Sequence, residues 1–326
     1  MGPAATAFLP KQMLELVVGP GFQHRRIVGS WAQQAVPVMT SQWQQQPVGL
    51  VGLGLIGGSL GLDLVARGLE VRALVHRPAT AERARQRGLA SRISTDPDVL
   101  AGCGLLVLAL PLDRLLEPPA ELIAALPAGA VITDVGSVKA PVLRVWQGRV
   151  PRFVASHPMT GTAEAGVEAG QRDLFRGRPW VATPVADTDP AALAVVRELA
   201  TALGADWLEC AAADHDQAVA LISHLPVLVS AALLQAADRG AAAAAGAVPA
   251  LARALASSGF ADTTRVGAGN PELGTLMARC NREAVLQGMA HYRSALEDLE
   301  QLVEQQRWRE MEAELDRCRQ LRPPFV

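Results

Sequence analysis

The chain has 326 residues, half of them hydrophobic and 19% charged. That is enough apolar material for two domains, since single cores stop growing near about 250 residues. Thirty basic residues stand against 32 acidic ones, for a net charge of −2, which argues against a nucleic-acid binder or a protein drawn to anionic membrane. Cys103, Cys210, Cys280 and Cys318 form no CxxC pair and no Cys/His cluster, so neither a metal site nor a disulfide framework is expected, and a cytoplasmic location is.

Residues 1–46 carry Gly, Pro and Gln, end in SQWQQQ and show no periodicity. They read as a disordered N-terminal extension, with Met39 as an alternative start. Glu15 is their only acid, yet neither an Arg-rich amphipathic helix nor an apolar core with a cleavage site is present.

The stretch VGLVGLGLIGGSLGLDLVARG, residues 48–68, joins an apolar strand to a helical pattern through Gly52-Leu53-Gly54-Leu55-Ile56-Gly57. In that setting Gly52 permits a tight turn, Gly54 lets the backbone approach a pyrophosphate, and Gly57 lets the helix pack on the strand. The amides around Leu55 and Ile56 then face the phosphates at the positive end of the helix. The next strand, Val71 to Val75, ends in His76-Arg77-Pro78, with no carboxylate as far as Thr80. An acid there would favour the free ribose hydroxyl of NAD, whereas a guanidinium can hold the 2′-phosphate of NADP. NADP is therefore expected ahead of NAD, with His76, Arg77 and Thr80 as candidate contacts; the alternative is an Arg77 that merely ends the strand in solvent.

Strands continue at 105–110 and 130–135, with helices over 112–125 and 139–147. A strand ending at His157, strands at 180–183 and 206–210, and a helix over 190–203 complete an α/β, Rossmann-type doubly wound sheet across residues 47–210. Ligands lie outside the carboxyl ends of such strands. That rule collects Pro111, Gly136, Ser137 and His157 on one rim at the nicotinamide end of the cofactor.

From Ala211 strand signals stop, and helices are expected over 215–237, 249–257, 271–305 and 307–321. The segment 218–237 is long enough to span a membrane, but Ser223, His224, Pro226 and Gln235 argue for a helix buried in protein. The long apolar periodicity of 271–305 suggests helices shared between two subunits, so residues 211–326 read as an all-α dimerisation and substrate domain. Between helices, SSGFADTTRVGAGNPELG (257–274) reads as a loop. Composition leaves its Arg265 open between a solvated side chain and a clamp for a substrate carboxylate.

At this point the sequence resembles a known family. VGLGLIGGSL (51–60), TDVGSVK (133–139), SHPMTGTAEAG (156–166), ADHDQAVALISHLPVLVSAAL (213–233) and ASSGFADTTRVGAGNPELGT (256–275) resemble the arogenate/prephenate dehydrogenases of tyrosine biosynthesis. Within the family the chain most resembles the cyanobacterial, NADP-dependent arogenate dehydrogenases. The resemblance implies NAD(P)-dependent oxidative decarboxylation of a cyclohexadienyl substrate. It also implies His157 as the catalytic histidine, Ser137 as its partner at the substrate hydroxyl, Arg265 at a substrate carboxylate, and a homodimer through the helical domain. Thr160 and His224 are further candidates for substrate contact, although His224 could equally satisfy a core hydrogen bond. Many prephenate-using members carry SHLPH where this chain has Val227, in line with arogenate as substrate. Asp214 and Asp216 could meet an ammonium but are expected to cap a helix; His215, His291 and His24 are expected to be structural or exposed. A β-hydroxyacid or imine reductase and a non-catalytic NADP sensor are the rival readings.

Overall fold

The computed structural model describes residues 42–326 apart from 163, 245, 324 and 326, so His24 and most of the expected extension lie outside the described residues. The last part of that stretch belongs to the fold. Gln42–Gln45 forms a 3-10 turn, Trp43 is buried, and its indole donates to Glu198 Oε2 at 2.9 Å. One tryptophan among glutamines leaves no periodicity to read.

Along the first half, β1 (Val48–Val51), α1 (Leu55–Ala66), β2 (Val71–Leu74), α2 (Pro78–Gln86), β3 (Arg92–Ser94), β4 (Leu105–Leu108), α3 (Leu112–Leu116), α4 (Ala120–Ala125), β5 (Val131–Asp134), α5 (Ala140–Trp146) and β6 (Phe153–Val154) follow in turn. Pro118 and Pro119 split the helix expected over 112–125 into α3 and α4, because neither can donate to a helical ladder. The six strands are parallel in the order β3-β2-β1-β4-β5-β6. Direction reverses between β1 and β4, and the crevice above their carboxyl ends is the ligand position of such sheets. The central strands are buried throughout, as continuous apolar runs require. Leu50, Leu105 and Val107 pack with Leu60 and Leu64 of α1, while Leu106, Leu108 and Ile132 pack with Leu115 and Trp146.

Three strands expected in the same sheet form a second one. β7 (Ser156–Pro158) runs antiparallel to β8 (Pro179–Ala182); β8 is parallel to β9 (Asp206–Glu209), reached through α6 (Pro190–Ala202). His157 is thus the middle residue of a short strand rather than the end of a long one. Asp134 causes the break: its Oδ1 accepts from Ser156 N at 3.1 Å and its Oδ2 from Gly136 N at 2.8 Å. A side chain, not a strand, takes the next ladder donor, and β6 stops at Val154.

From Ala212 the chain is helical. α7 (Ala212–Val219), a π-turn over Ala220–His224 and α8 (Leu225–Ala243) are continuous. Pro226 follows directly and has no amide to give to an α ladder, a usual setting for such a turn. Then come α9 (Val248–Leu255), α10 (Ser258–Thr264), α11 (Pro271–Cys280), α12 (Arg282–Glu304) and α13 (Trp308–Leu321). α10 lies where a loop was expected. Thr263 and Thr264 hydroxyls bond back to Gly259 O and Phe260 O at 2.6 Å, satisfying side chains that otherwise compete with a helix. The single helix expected over 271–305 is divided at Asn281.

Among the described residues, 212–243 is the one helix long and apolar enough to cross a membrane, with a mean hydropathy of 1.9. Its His224 and Ser230 are buried and bonded to protein groups, the latter to Thr263 O and Gly267 N. Large apolar side chains stay exposed along these helices, among them Leu251, Leu255, Leu273, Leu286 and Leu296, the kind of surface a second subunit covers.

Close packing makes one glycine testable. A Cβ on Gly61 would lie 1.8 Å from Leu89 O, whereas one on Gly54 would meet nothing within 4 Å. Gly61→Ala is expected to cost about 1–3 kcal/mol and lower the thermal midpoint seen by circular dichroism, with Gly54→Ala leaving it nearly unmoved. Equal midpoints for the two variants would contradict this packing.

Candidate active site

The cofactor cradle lies between β1 and α1. Gly52 has φ +95°, and a Cβ there would sit 2.4 Å from Ala109 O; a Cβ on Gly57 would sit 2.0 Å from Gly52 O. Those two glycines are demanded by the fold, and the open space at Gly54 is where a pyrophosphate can come close to the backbone. α1 starts there with no side-chain cap, so the first amides, including those of Leu55 and Ile56, have no partner within the helix. His76 and Arg77 are exposed beyond β2, Thr80 is half-buried in the first turn of α2, and Pro111 is exposed at the start of α3. The cradle therefore fits a dinucleotide with its phosphates on α1, and among the described residues the exposed Arg77 guanidinium makes no hydrogen bond or ion pair.

At the carboxyl ends of β5 and β7 a buried polar network holds His157. Its Nδ1 is 3.0 Å from Nε2 of His215, whose Nδ1 is 2.9 Å from Asp216 Oδ1. His215 is therefore buried and bonded on both ring nitrogens, in line with the expected structural histidine, and its partner is His157. Asp216 does not cap its own helix, which begins at Ala211 without a side-chain bond. Instead it accepts Lys139 N at 2.6 Å and Ala140 N at 2.9 Å, capping α5 from across the interface. Asp214 is exposed in the first turn of α7, and His291 is exposed.

Lys139 is fully buried. Its Nζ pairs with Asp134 Oδ2 and donates to Ser156 O at 2.7 Å. Burial pulls its ammonium below the usual lysine range, and the Asp134 carboxylate opposes that fall. His157 is held well below the ordinary histidine value, first by burial and then by the positive charge of the neighbouring Lys139. It is a neutral imidazole at physiological pH. Two residues before Lys139, the Ser137 hydroxyl is buried with no hydrogen-bond partner, a costly state unless a ligand completes it.

His224 closes the group from the π-turn. Asn281 Nδ2 donates to Asp216 O at 2.7 Å and lies 3.2 Å from His224 Nδ1. A carbonyl only accepts, so the amide nitrogen must face Asp216 and its second hydrogen faces His224. That leaves Nε2–H of His224 as a donor, and Nε2 is buried without a partner. Burial lowers this ring to about 4, against the pull of Asp216.

The comparisons follow the same division of the chain. The prephenate dehydrogenase nucleotide-binding domain matches residues 60–209, and the prephenate dehydrogenase dimerization domain matches residues 211–317. The crystal structure of Synechocystis arogenate dehydrogenase is 42% identical, with a TM-score of 0.72, over 86% of this chain and all of that one. The chain belongs to the prephenate/arogenate dehydrogenase family. A cyclohexadienyl dehydrogenase of Zymomonas mobilis is 29% identical over 271 residues, covering 79% of this chain and 89% of that protein. The Aquifex aeolicus prephenate dehydrogenase complex with hydroxyphenyl propionate and NAD+ shares the fold, with a TM-score of 0.79 at 24% identity over 86% of this chain and 98% of that one.

As an enzyme of this family the chain carries a nucleotide-binding dehydrogenase domain followed by helices that match a dimerization domain. Two expected substrate contacts stand apart from the network within one subunit. Thr160 gives its hydroxyl proton to Leu174 O at 3.1 Å. Arg265 is exposed at the end of α10, a helix rather than a loop, and makes no hydrogen bond or ion pair among the described residues. Sequence reasoning passed over Asp134, Lys139 and Asn281; it read His215 as structural or exposed and Asp216 as a helix cap, without the partners that the structure gives them. Adjacent His215 and Asp216 carried a faint signal, a histidine beside an acid; Asn281, between two helical patterns, carried none.

Removing one partner of the buried pair tests how far it supports the site. Asp134→Ala leaves an ammonium buried against a single carbonyl and is expected to cost about 3–5 kcal/mol, read as a lower urea midpoint. A midpoint within error of the parent would show that the pair contributes nothing net.

Proposed function

We propose that the chain is a cytoplasmic, NADP-dependent arogenate dehydrogenase, active as a homodimer and converting L-arogenate to L-tyrosine and carbon dioxide. Residues 47–210 form the nucleotide-binding half and 211–326 the helical half. The observation that carries the reading is His157, a ring kept neutral by burial and held by a hydrogen-bonded chain on the rim that the cofactor cradle serves. Likeness to the Synechocystis arogenate dehydrogenase and Val227 in place of a second histidine support arogenate. Arg77, with no acid between Val71 and Thr80, supports NADP.

Bound NADP supplies the hydride acceptor. The substrate ring carries a hydroxyl and a carboxylate on opposite carbons, and His157 takes the hydroxyl proton as the carbon–hydrogen bond breaks. Electrons of the ring–carboxylate bond flow into the ring and towards the oxygen as carbon dioxide leaves, and His157 returns its proton to that oxygen, so the product is a phenol and the histidine is neutral again. Ser137, whose hydroxyl is buried and unpartnered, hydrogen-bonds the reacting oxygen. His224 offers its free Nε2–H to an acceptor on the substrate. Arg265, bare within one subunit, pairs with a substrate carboxylate bidentately.

The cyclohexadienyl dehydrogenase relative makes dual use of arogenate and prephenate the second reading. Rates of reduced-cofactor formation from each substrate, with NADP and NAD in turn, separate the two. Arogenate with NADP is expected to be fastest, and His157→Asn to lower that rate by about 10²–10⁴-fold. Comparable rates on prephenate would establish the dual enzyme, and turnover of neither would remove this reading.

The pH profile follows from burial. A depressed histidine pKa means the neutral base is fully present at and below the ordinary value of 6.5. Activity on arogenate is therefore expected to hold as pH falls through 6.5 and to be lost only well below it. An acid limb centred at 6.5 or above in the rate profile would contradict a His157 held below the ordinary value.

A further inference from the structure

We propose that His215 and Asp216 set the tautomer of His157, and so present its Nε2 lone pair to the substrate. This rests on the reading that His157 accepts the substrate's hydroxyl proton. A carboxylate can only accept, so the ring nitrogen 2.9 Å from Asp216 Oδ1, His215 Nδ1, carries a hydrogen. An imidazole whose one hydrogen sits on Nδ1 has its lone pair on Nε2, and in His215 that Nε2 faces His157 Nδ1 at 3.0 Å. Two lone pairs cannot share that distance, so His157 carries its hydrogen on Nδ1. Its Nε2 is left as the acceptor.

The chain of inference is anchored outside the histidines. Lys139 N and Ala140 N, at the start of α5, both donate to the Asp216 carboxylate, so it cannot swing away without uncapping that helix. Asn281 Nδ2 holds the Asp216 carbonyl from the far side. His215 is 3% exposed and meets His157 edge-on, with the rings 72° apart, so neither ring can turn over without losing its bond. The other charged or titratable groups around His157 are Lys139, paired with Asp134, and His224. When a proton arrives on His157 Nε2, the Nδ1 hydrogen keeps pointing through His215 towards the Asp216 carboxylate. His215 and Asp216 act through His157 and are positioning residues.

A structural role alone would also explain a buried, bonded histidine, so the test reads the tautomer itself. Nitrogen-15 NMR of the resting, histidine-labelled enzyme, with His157 assigned by its loss in His157→Asn, is expected to show hydrogen on Nδ1 and none on Nε2. His215→Phe removes the acceptor, and His157 should shift towards hydrogen on Nε2. The corresponding fall in kcat is expected to approach about 10³–10⁴-fold, the scale of a wrong-tautomer catalytic histidine, with KM little changed. His215→Gln can accept from His157 through Oε1 and donate to Asp216 through its amide, so it should restore Nδ1–H and most of kcat. Hydrogen on Nε2 in the parent enzyme would overturn the proposal without any variant. So would an unchanged tautomer in His215→Phe, or equal losses in the Phe and Gln variants at matched thermal midpoints. Because the spectrum is taken without turnover, an enzyme inert on arogenate would sink the substrate reading and leave this one standing or falling by its own signal.

Discussion

The Asp134 carboxylate, at the end of β5, accepts from the amides of Gly136 and Ser156 and pairs with the buried ammonium of Lys139. Those contacts do several things at once. They stop the parallel sheet, turn the chain into the second sheet one residue before His157, and fix the short segment that carries Ser137. Lys139 extends the arrangement, since its ammonium also holds Ser156 O and its amide is capped by Asp216. The strand bearing His157 and the helix bearing His215 are thereby referenced to one point.

Taking both charges of that pair out of water is expensive, and their attraction offsets the cost only with good geometry and further hydrogen bonds. Here the carboxylate has two backbone donors besides the ammonium, and the ammonium has a carbonyl besides the carboxylate. The return is electrostatic. Burial, together with the charge of the nearby Lys139 ammonium, holds His157 below the ordinary histidine value, which favours the neutral state a proton acceptor needs. Ser137 Oγ and His224 Nε2 are both buried without a hydrogen-bond partner among the described residues.

The helical half is organised differently. Few of its side chains are buried within one subunit, and α9 and α13 bury none. Its apolar faces match a domain described by dimerization, and Arg265 lies on that half, exposed at the end of α10. The π-turn is the exception to its regularity. It occurs where Pro226 interrupts the amide ladder, and it ends at His224, so a backbone irregularity coincides with a buried, half-satisfied ring.

Local chemistry made the cofactor half legible. A strand, three glycines and a helix can be recognised because each glycine answers a steric demand of its immediate neighbours, and parallel strands buried on both faces read as unbroken apolar runs. Ser137 could be placed just past β5 for the same reason, since a strand end is a local feature, whereas His157 lies in the middle of a separate short strand and not at the expected strand end. The partition of the strands into two sheets could not be read, because Asp134 acts on Ser156 across a distance in sequence. Nor could the roles open to His215, Asp216 and Asn281, whose partners lie on β7, α5 and α7, brought together only when the helical half docks on the sheet. Residue type set which groups could donate or accept; tertiary structure decided which of them meet.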